Sequence, residues 1–169
     1  MRYPTLLLAI GLASGCASTY EQVDVTEPSA KLQQGKSIMI ATPSDGSYES
    51  SSYSGSGNMT AAAVNAAFAH YSDNISVSTE CQDIECLKTQ STSVDYFVVP
   101  EILHWEDRNT EWSGKKDKLD IKLSIFDAAD GTTLATTIIS GKSKWMTFGG
   151  DHPQDLLPEP LNKYVESLY

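Results

Sequence analysis

The chain has 169 residues, 12 basic against 22 acidic, a formal net charge of −10, and 40% hydrophobic residues. That length fits one domain and buries about two-thirds of its unfolded surface, enough for a core without metal staples. So acidic a balance excludes nucleic acid, or an anionic surface gripped through the overall field, and favours solubility.

Met1-Arg2 precedes the apolar run Leu6–Ile10 and the pentapeptide Leu12-Ala13-Ser14-Gly15-Cys16. A short positive region, a brief apolar stretch and small residues before a cut site describe an export signal. The stretch is too short for a membrane span, which needs about 20 residues. Ending on cysteine, it looks like a bacterial lipobox. Residues 1–15 are then a removed signal peptide, and Cys16 carries lipid at the start of the mature chain. Ala17 after that cysteine resembles outer-membrane sorting, which places the domain in the periplasm, held to the membrane through Cys16. Residues 16–36 are polar and mostly aperiodic. They are expected to form a flexible tether reaching about 25 Å, ahead of a single domain over 37–169.

Within that domain, Ser37–Ala41 is a short apolar run that predicts a strand buried on both faces. Thr42–Gly57 holds seven serines, three glycines and two tyrosines and reads as a loop. A helix follows to about Tyr71, with Ala61, Val64, Phe68 and Tyr71 on one face. Asn74–Thr79 alternates with Ile75 and Val77 inward, and Asp83–Gln90 is a short helix. Val94–His104 is strongly β and apolar on both sides at Phe97-Val98-Val99, which places it centrally. Leu119, Ile121, Leu123 and Ile125 alternate with polar residues, giving a strand with one wet face. Asp127–Gly131 is a hairpin turn, and a long strand returns from about Thr132 to Thr147, broken at Gly149–Pro153. Leu157, Leu161, Tyr164, Val165 and Leu168 then mark a terminal helix, with Pro158 and Pro160 near its start. The order β-α-β-α-β-β-β-α predicts an α/β fold with a mixed sheet of about five strands, packed by helices. Its first three strands are parallel.

Two cysteines follow Cys16. On one helix, Cys81 and Cys86 would face apart; a disulfide between them needs Cys81 in the loop ahead of a helix capped by Asp83. Free thiols are the other reading, and nothing around them suggests a metal or redox centre.

Parallel strands deliver their following loops to one rim, where open α/β sheets favour ligands. This rim is expected to gather Tyr48, Tyr53, Glu106, Asp107, Arg108, Trp112, Trp145, Asp151 and His152, types that anchor protein interfaces. A second candidate is Ser54-Gly55-Ser56-Gly57-Asn58, where a helix N-terminus offers free amides to a small anion. It lacks the lysine of a phosphate loop and the full dinucleotide fingerprint. His104 with Glu106 or Asp107, and Asp151 with His152, are residue types for metal or acid–base work. Neighbours on a strand point to opposite faces, however, so few of them converge. No catalytic residue, metal or cofactor is expected.

Tyr53–Gly57, Pro100–Arg108, Glu111–Gly114, Ser140–Trp145 and Phe148–Leu157 together resemble a family of short proteobacterial lipoproteins defined only as a domain of unknown function. More distantly, the element order is similar to the N-terminal domain of TolB and to periplasmic domains of curli-secretion and penicillin-binding-protein-activator lipoproteins. These resemblances imply a non-enzymatic envelope part that binds an envelope protein, with a small anionic ligand as the alternative.

Overall fold

The longest strand organises the molecule. The computed structural model describes residues 18–91, 93–108, 115–144 and 152–169. Within them the chain forms β1 (Thr19–Thr26), β2 (Ile38–Ala41), β3 (Ser47–Tyr48), β4 (Ser51–Ser52), α1 (Ser56–Phe68), β5 (Ile75–Ser78), α2 (Ile84–Gln90), β6 (Tyr96–Glu106), β7 (Lys118–Asp127), β8 (Thr133–Lys142) and α3 (Pro158–Leu168). A single 3-10 turn, Pro153–Leu156, leads into α3. Six strands make one mixed sheet in the order β1-β8-β7-β6-β2-β5, while β3 and β4 form a separate two-stranded ribbon. The fold is α/β as the sequence pattern predicts, with one strand more in the sheet.

Parallel pairing joins β2 to β5 on one side and to β6 on the other. The crossovers α1 and α2 therefore return on opposite faces, as right-handed connections require. Alternation sorts the side chains to match. Ile38, Ile40 and Val98 join the main core beneath α1 and α3. Met39, Ala41, Phe97 and Val99 pack with α2. The predicted stripe of α1 is present, with Ala61, Val64 and Phe68 buried and Tyr71 packed against the core. Burying a side chain such as Val64 or Phe68 stabilises the fold by roughly 1.5–3 kcal/mol. Leu161, Tyr164, Val165 and Leu168 of α3 close the same core. Tyr169 stacks on Tyr71 with ring centroids 4.2 Å apart.

Asp83 caps α2 by accepting the Cys86 amide at 2.8 Å, and Cys81, in the loop ahead, is bridged to Cys86. That cap lets the chain bend between the two cysteines, so their Cα atoms lie 5.3 Å apart, a separation a disulfide spans.

Two expectations change. Residues 19–26, assigned above to a flexible tether, form β1, which pairs antiparallel with β8 along the sheet edge. Thr19–Thr26 holds Tyr20, Val23, Val25 and two threonines, residues that favour extended backbone, and β8 would otherwise present unpaired amides and carbonyls. Val77 is on the core face of β5 but remains 38% exposed, because β5 is the other edge of the sheet.

Candidate functional site

β6 spans 11 residues, but β2 pairs only with Tyr96, Phe97 and Val98. Beyond them the flank of β6 is covered by the β3–β4 ribbon, drawn from the serine-rich loop. The approach is close: a Cβ on Gly46 would lie 2.5 Å from Trp105 Cβ and 2.9 Å from Ile102 Cγ2. Only glycine fits there. The β2/β6 junction is where the connections diverge to opposite sides of the sheet, the place such folds ordinarily keep a ligand crevice. Here the chain's own ribbon fills it.

At the end of β6, a charged cluster closes around Glu106, which is 1% exposed. His104 Nε2 is 3.1 Å from its carboxylate and Lys118 Nζ 3.4 Å, while the Arg108 guanidinium pairs with its other oxygen. Burial pushes the Glu106 carboxyl up, but the hydrogen bonds from His104 and Arg108, with the charges of Lys118 and Arg108, outweigh it and hold the group below its ordinary value. Arg108 also lies 5.2 Å from the centre of the Tyr48 ring, whose other contact is His104 edge-on at 5.0 Å.

Behind this cluster sits Asp117, 7% exposed. It accepts the Arg108 backbone amide at 2.6 Å, and its own amide donates to Ser143 Oγ at 2.9 Å. Burial pushes its carboxyl up, with Asp107 adding to the effect. Asp107 in turn pairs with His152 Nδ1 at 3.3 Å, and its carbonyl accepts the Tyr53 hydroxyl at 3.4 Å. The hydrogen bond to Asp107 raises the His152 imidazole above its ordinary value.

The structure thus brings together Tyr48, Tyr53, Glu106, Asp107, Arg108 and His152 of the expected rim. Trp112, Trp145 and Asp151 lie outside the described residues, as does Cys16. His104, Asp117, Lys118 and Ser143 complete the cluster and were not among the candidate rim residues. The cations and carboxylates partner one another, and Ser143 is engaged by Asp117. The arrangement holds the described loops in place.

With that geometry in view, the relationships of the chain become informative. Residues 30–168 match the family described as a domain of unknown function, DUF4823. The chain belongs to that family. No curated protein sequence matches it. Among solved structures, this DUF4823 domain is similar to a dodecameric variant of PelC from Paraburkholderia phytofirmans, at TM-score 0.63 and 12% identity, covering 89% of this chain and 98% of that one. A second PelC dodecamer from the same organism aligns at TM-score 0.56 and 14% identity, over 89% and 91% of the two chains. A DUF330 protein from Xanthomonas campestris aligns at TM-score 0.54 and 13% identity, over 85% and 90%. These likenesses show a shared fold. They lend no support to the resemblance to TolB drawn from element order alone.

The second candidate, Ser54–Asn58, is already filled from within the DUF4823 domain. Asp45 accepts the Gly55 amide at 3.0 Å and the Gly57 amide at 2.9 Å, so a carboxylate of the chain itself occupies the positive end of α1. Ser56 is buried and its hydroxyl accepts the Gly46 amide, while a Cβ on Gly57 would strike the Pro43 carbonyl. The sequence pattern showed an open helix terminus because Asp45 lies 10 and 12 positions away from those amides. Among the described residues no helix is long and apolar enough to cross a membrane.

Asp45→Ala should cost about 1 kcal/mol in urea unfolding, the ordinary worth of a helix cap. Phosphate should leave the melting temperature of the parent unchanged; a concentration-dependent rise would restore the anion site. For His152, the raised value means the Asp107 pair stabilises the fold below the imidazole's unfolded value near 6.5 and fades as pH rises through the folded one. His152→Gln should therefore lower the melting temperature more at pH 5.5 than at pH 8.5. Equal losses at both would show that the pair contributes nothing.

Proposed function

We propose that this DUF4823 protein is a non-enzymatic lipoprotein of the bacterial envelope that works by assembly with another protein. Lipid on Cys16 holds it to the outer membrane, the domain stands in the periplasm, and the rim at the C-terminal ends of the strands meets the partner. The observation that carries this reading is the filled β2/β6 junction. A fold that closes its ligand crevice with its own backbone, and pairs off its charged side chains there, is built for a fixed outer surface. That surface presents Tyr48 and His104 beside the Arg108 guanidinium, whose side chain is 27% exposed. Aromatic rings and arginine held rigid from below are what interface hot spots need, because little rotamer freedom is lost on docking.

A second reading is self-assembly. PelC, which shares the fold, forms a dodecamer. Among the described residues β1 and β5 are the outer strands of the sheet, and β1 exposes Val23 at 62% and Val25 at 59%, while β5 exposes Val77. Unlike edges on opposite sides of one domain suit head-to-tail contacts, which close into a ring where the rotation between copies closes.

In-cell photocrosslinking from Ser52, exposed on the ribbon, should give one recurrent envelope protein, and Arg108→Lys should lose it by removing the planar fork while keeping the charge. Scattered adducts, or capture unchanged in Arg108→Lys and Tyr48→Ala, would end the rim reading. Light scattering on the purified chain separates the alternative: a many-protomer mass that collapses in Val23→Lys supports the ring, and a monomer removes it.

A further inference from the structure

We propose that the β1–β8–β7 end of the sheet seats on the anionic phospholipid headgroups of the membrane that carries Cys16. This rests on the lipid-anchor reading above and adds which end of the domain faces the lipid and what holds it there.

Register supplies the first argument. Thr19 pairs with Lys142, Lys142 with Lys118, and Lys118 with Glu106, so one row crosses four strands. At that row β1 and β7 begin while β8 and β6 end. Cys16 is three positions before Thr19, and three extended residues reach about 10 Å. A lipid on Cys16 therefore tethers this row close to the bilayer surface. The turn between β7 and β8, ten residues along β7, is about 30 Å further away. A freely swinging domain needs a long linker, and with β1 in the sheet the expected tether keeps only residues 16–18 ahead of it.

Charge supplies the second. Lys115, Lys116, Lys118, Lys142 and Lys144 all lie at this row or just beyond it, five of the chain's 12 basic residues. Lys115, Lys118, Lys142 and Lys144 are exposed. Two of the described acids there are buried, Glu106, which pairs with Lys118, and Asp117, and Asp107 is held by His152. Glu21, beside Lys142 at 3.9 Å, and Asp155, on the turn that packs against Gly141, are exposed. The loop acids Glu111 and Asp151 lie outside the described residues. An overall charge of −10 opposes approach to an anionic surface from a distance. That opposition is screened beyond about 8 Å at physiological salt. Once the anchor has brought the row to the surface, the lysines act within that range, and each adds its own attraction to anionic headgroups. The lipid sets the location, and the lysines set the orientation.

The test uses the full lipidated protein in phosphatidylethanolamine vesicles, with or without phosphatidylglycerol. A water-soluble amine-acylating reagent is read out at each lysine by mass spectrometry. Labelling of Lys118, Lys142 and Lys144 should slow several-fold when phosphatidylglycerol is present, while Lys88 and Lys163, away from this row, react equally in both. Equal labelling of the three in both vesicles, or equal protection in both, would overturn the proposal, since neither depends on headgroup charge. The same spectra report the mature N-terminus. A chain without lipid on Cys16 would bring down the anchor reading itself, a failure distinct from an anchored domain whose lysines ignore anionic lipid.

Discussion

A sheet strand needs hydrogen-bonding partners on both edges, and β6 is much longer than its parallel neighbour β2. The flank of β6 from Ile102 to Glu106 would be left bare beside a loop of serines and glycines. The fold meets that constraint by laying the β3–β4 ribbon against it, close enough that position 46 has no room for a side chain. Several features follow from that one packing choice. The crevice of a doubly wound sheet disappears. Tyr48 is carried over His104 and Arg108, and Glu106 is sealed beneath them, paired with Arg108 and Lys118 and hydrogen-bonded to His104. The carboxylate holds its charge because those cations outweigh the cost of burial.

The same end of the molecule is where the chain enters the domain. With β1 committed to the sheet, few residues separate Cys16 from a rigid edge, and under the proposed lipid attachment the end that bears the Glu106 cluster is also the end nearest the anchor. Among the described residues there, Glu106 and Asp117 are buried while Lys115, Lys118, Lys142 and Lys144 are exposed, with Glu21 and Asp155 the exposed acids. The two proposals are compatible because they use different corners of that end: lysines toward β1, and the Tyr48–Arg108 surface toward β2. The outer strands β1 and β5 face sideways relative to both. Neighbouring copies held in one membrane would present unlike edges to each other.

Most of the architecture was legible along the chain. Alternation in Leu119–Ile125 gave a half-wet strand, the Ala61–Phe68 stripe gave a core helix, and the doubly apolar Phe97–Val99 gave a central strand. Asp83 standing between Cys81 and Cys86 indicated how a short-range disulfide could form. The errors have a common cause. Thr19–Thr26 looked like linker because its alternation is weak and its pairing partner, β8, lies more than a hundred residues later. Asp45 looked like part of a loop because the amides it caps belong to the next helix. Asp117 and Ser143 carried no signal, since each owes its role to the other.

The sequence by itself therefore determined the fold class and most of the elements, because each depends on local periodicity or on short spacing. Only the tertiary structure decided that the rim's ligand crevice is filled, that its charges are paired, and that residues 19–26 join the sheet as a strand. Those outcomes depend on contacts between residues far apart in the chain, and local spacing carries no record of which distant carboxylate, edge or glycine will arrive.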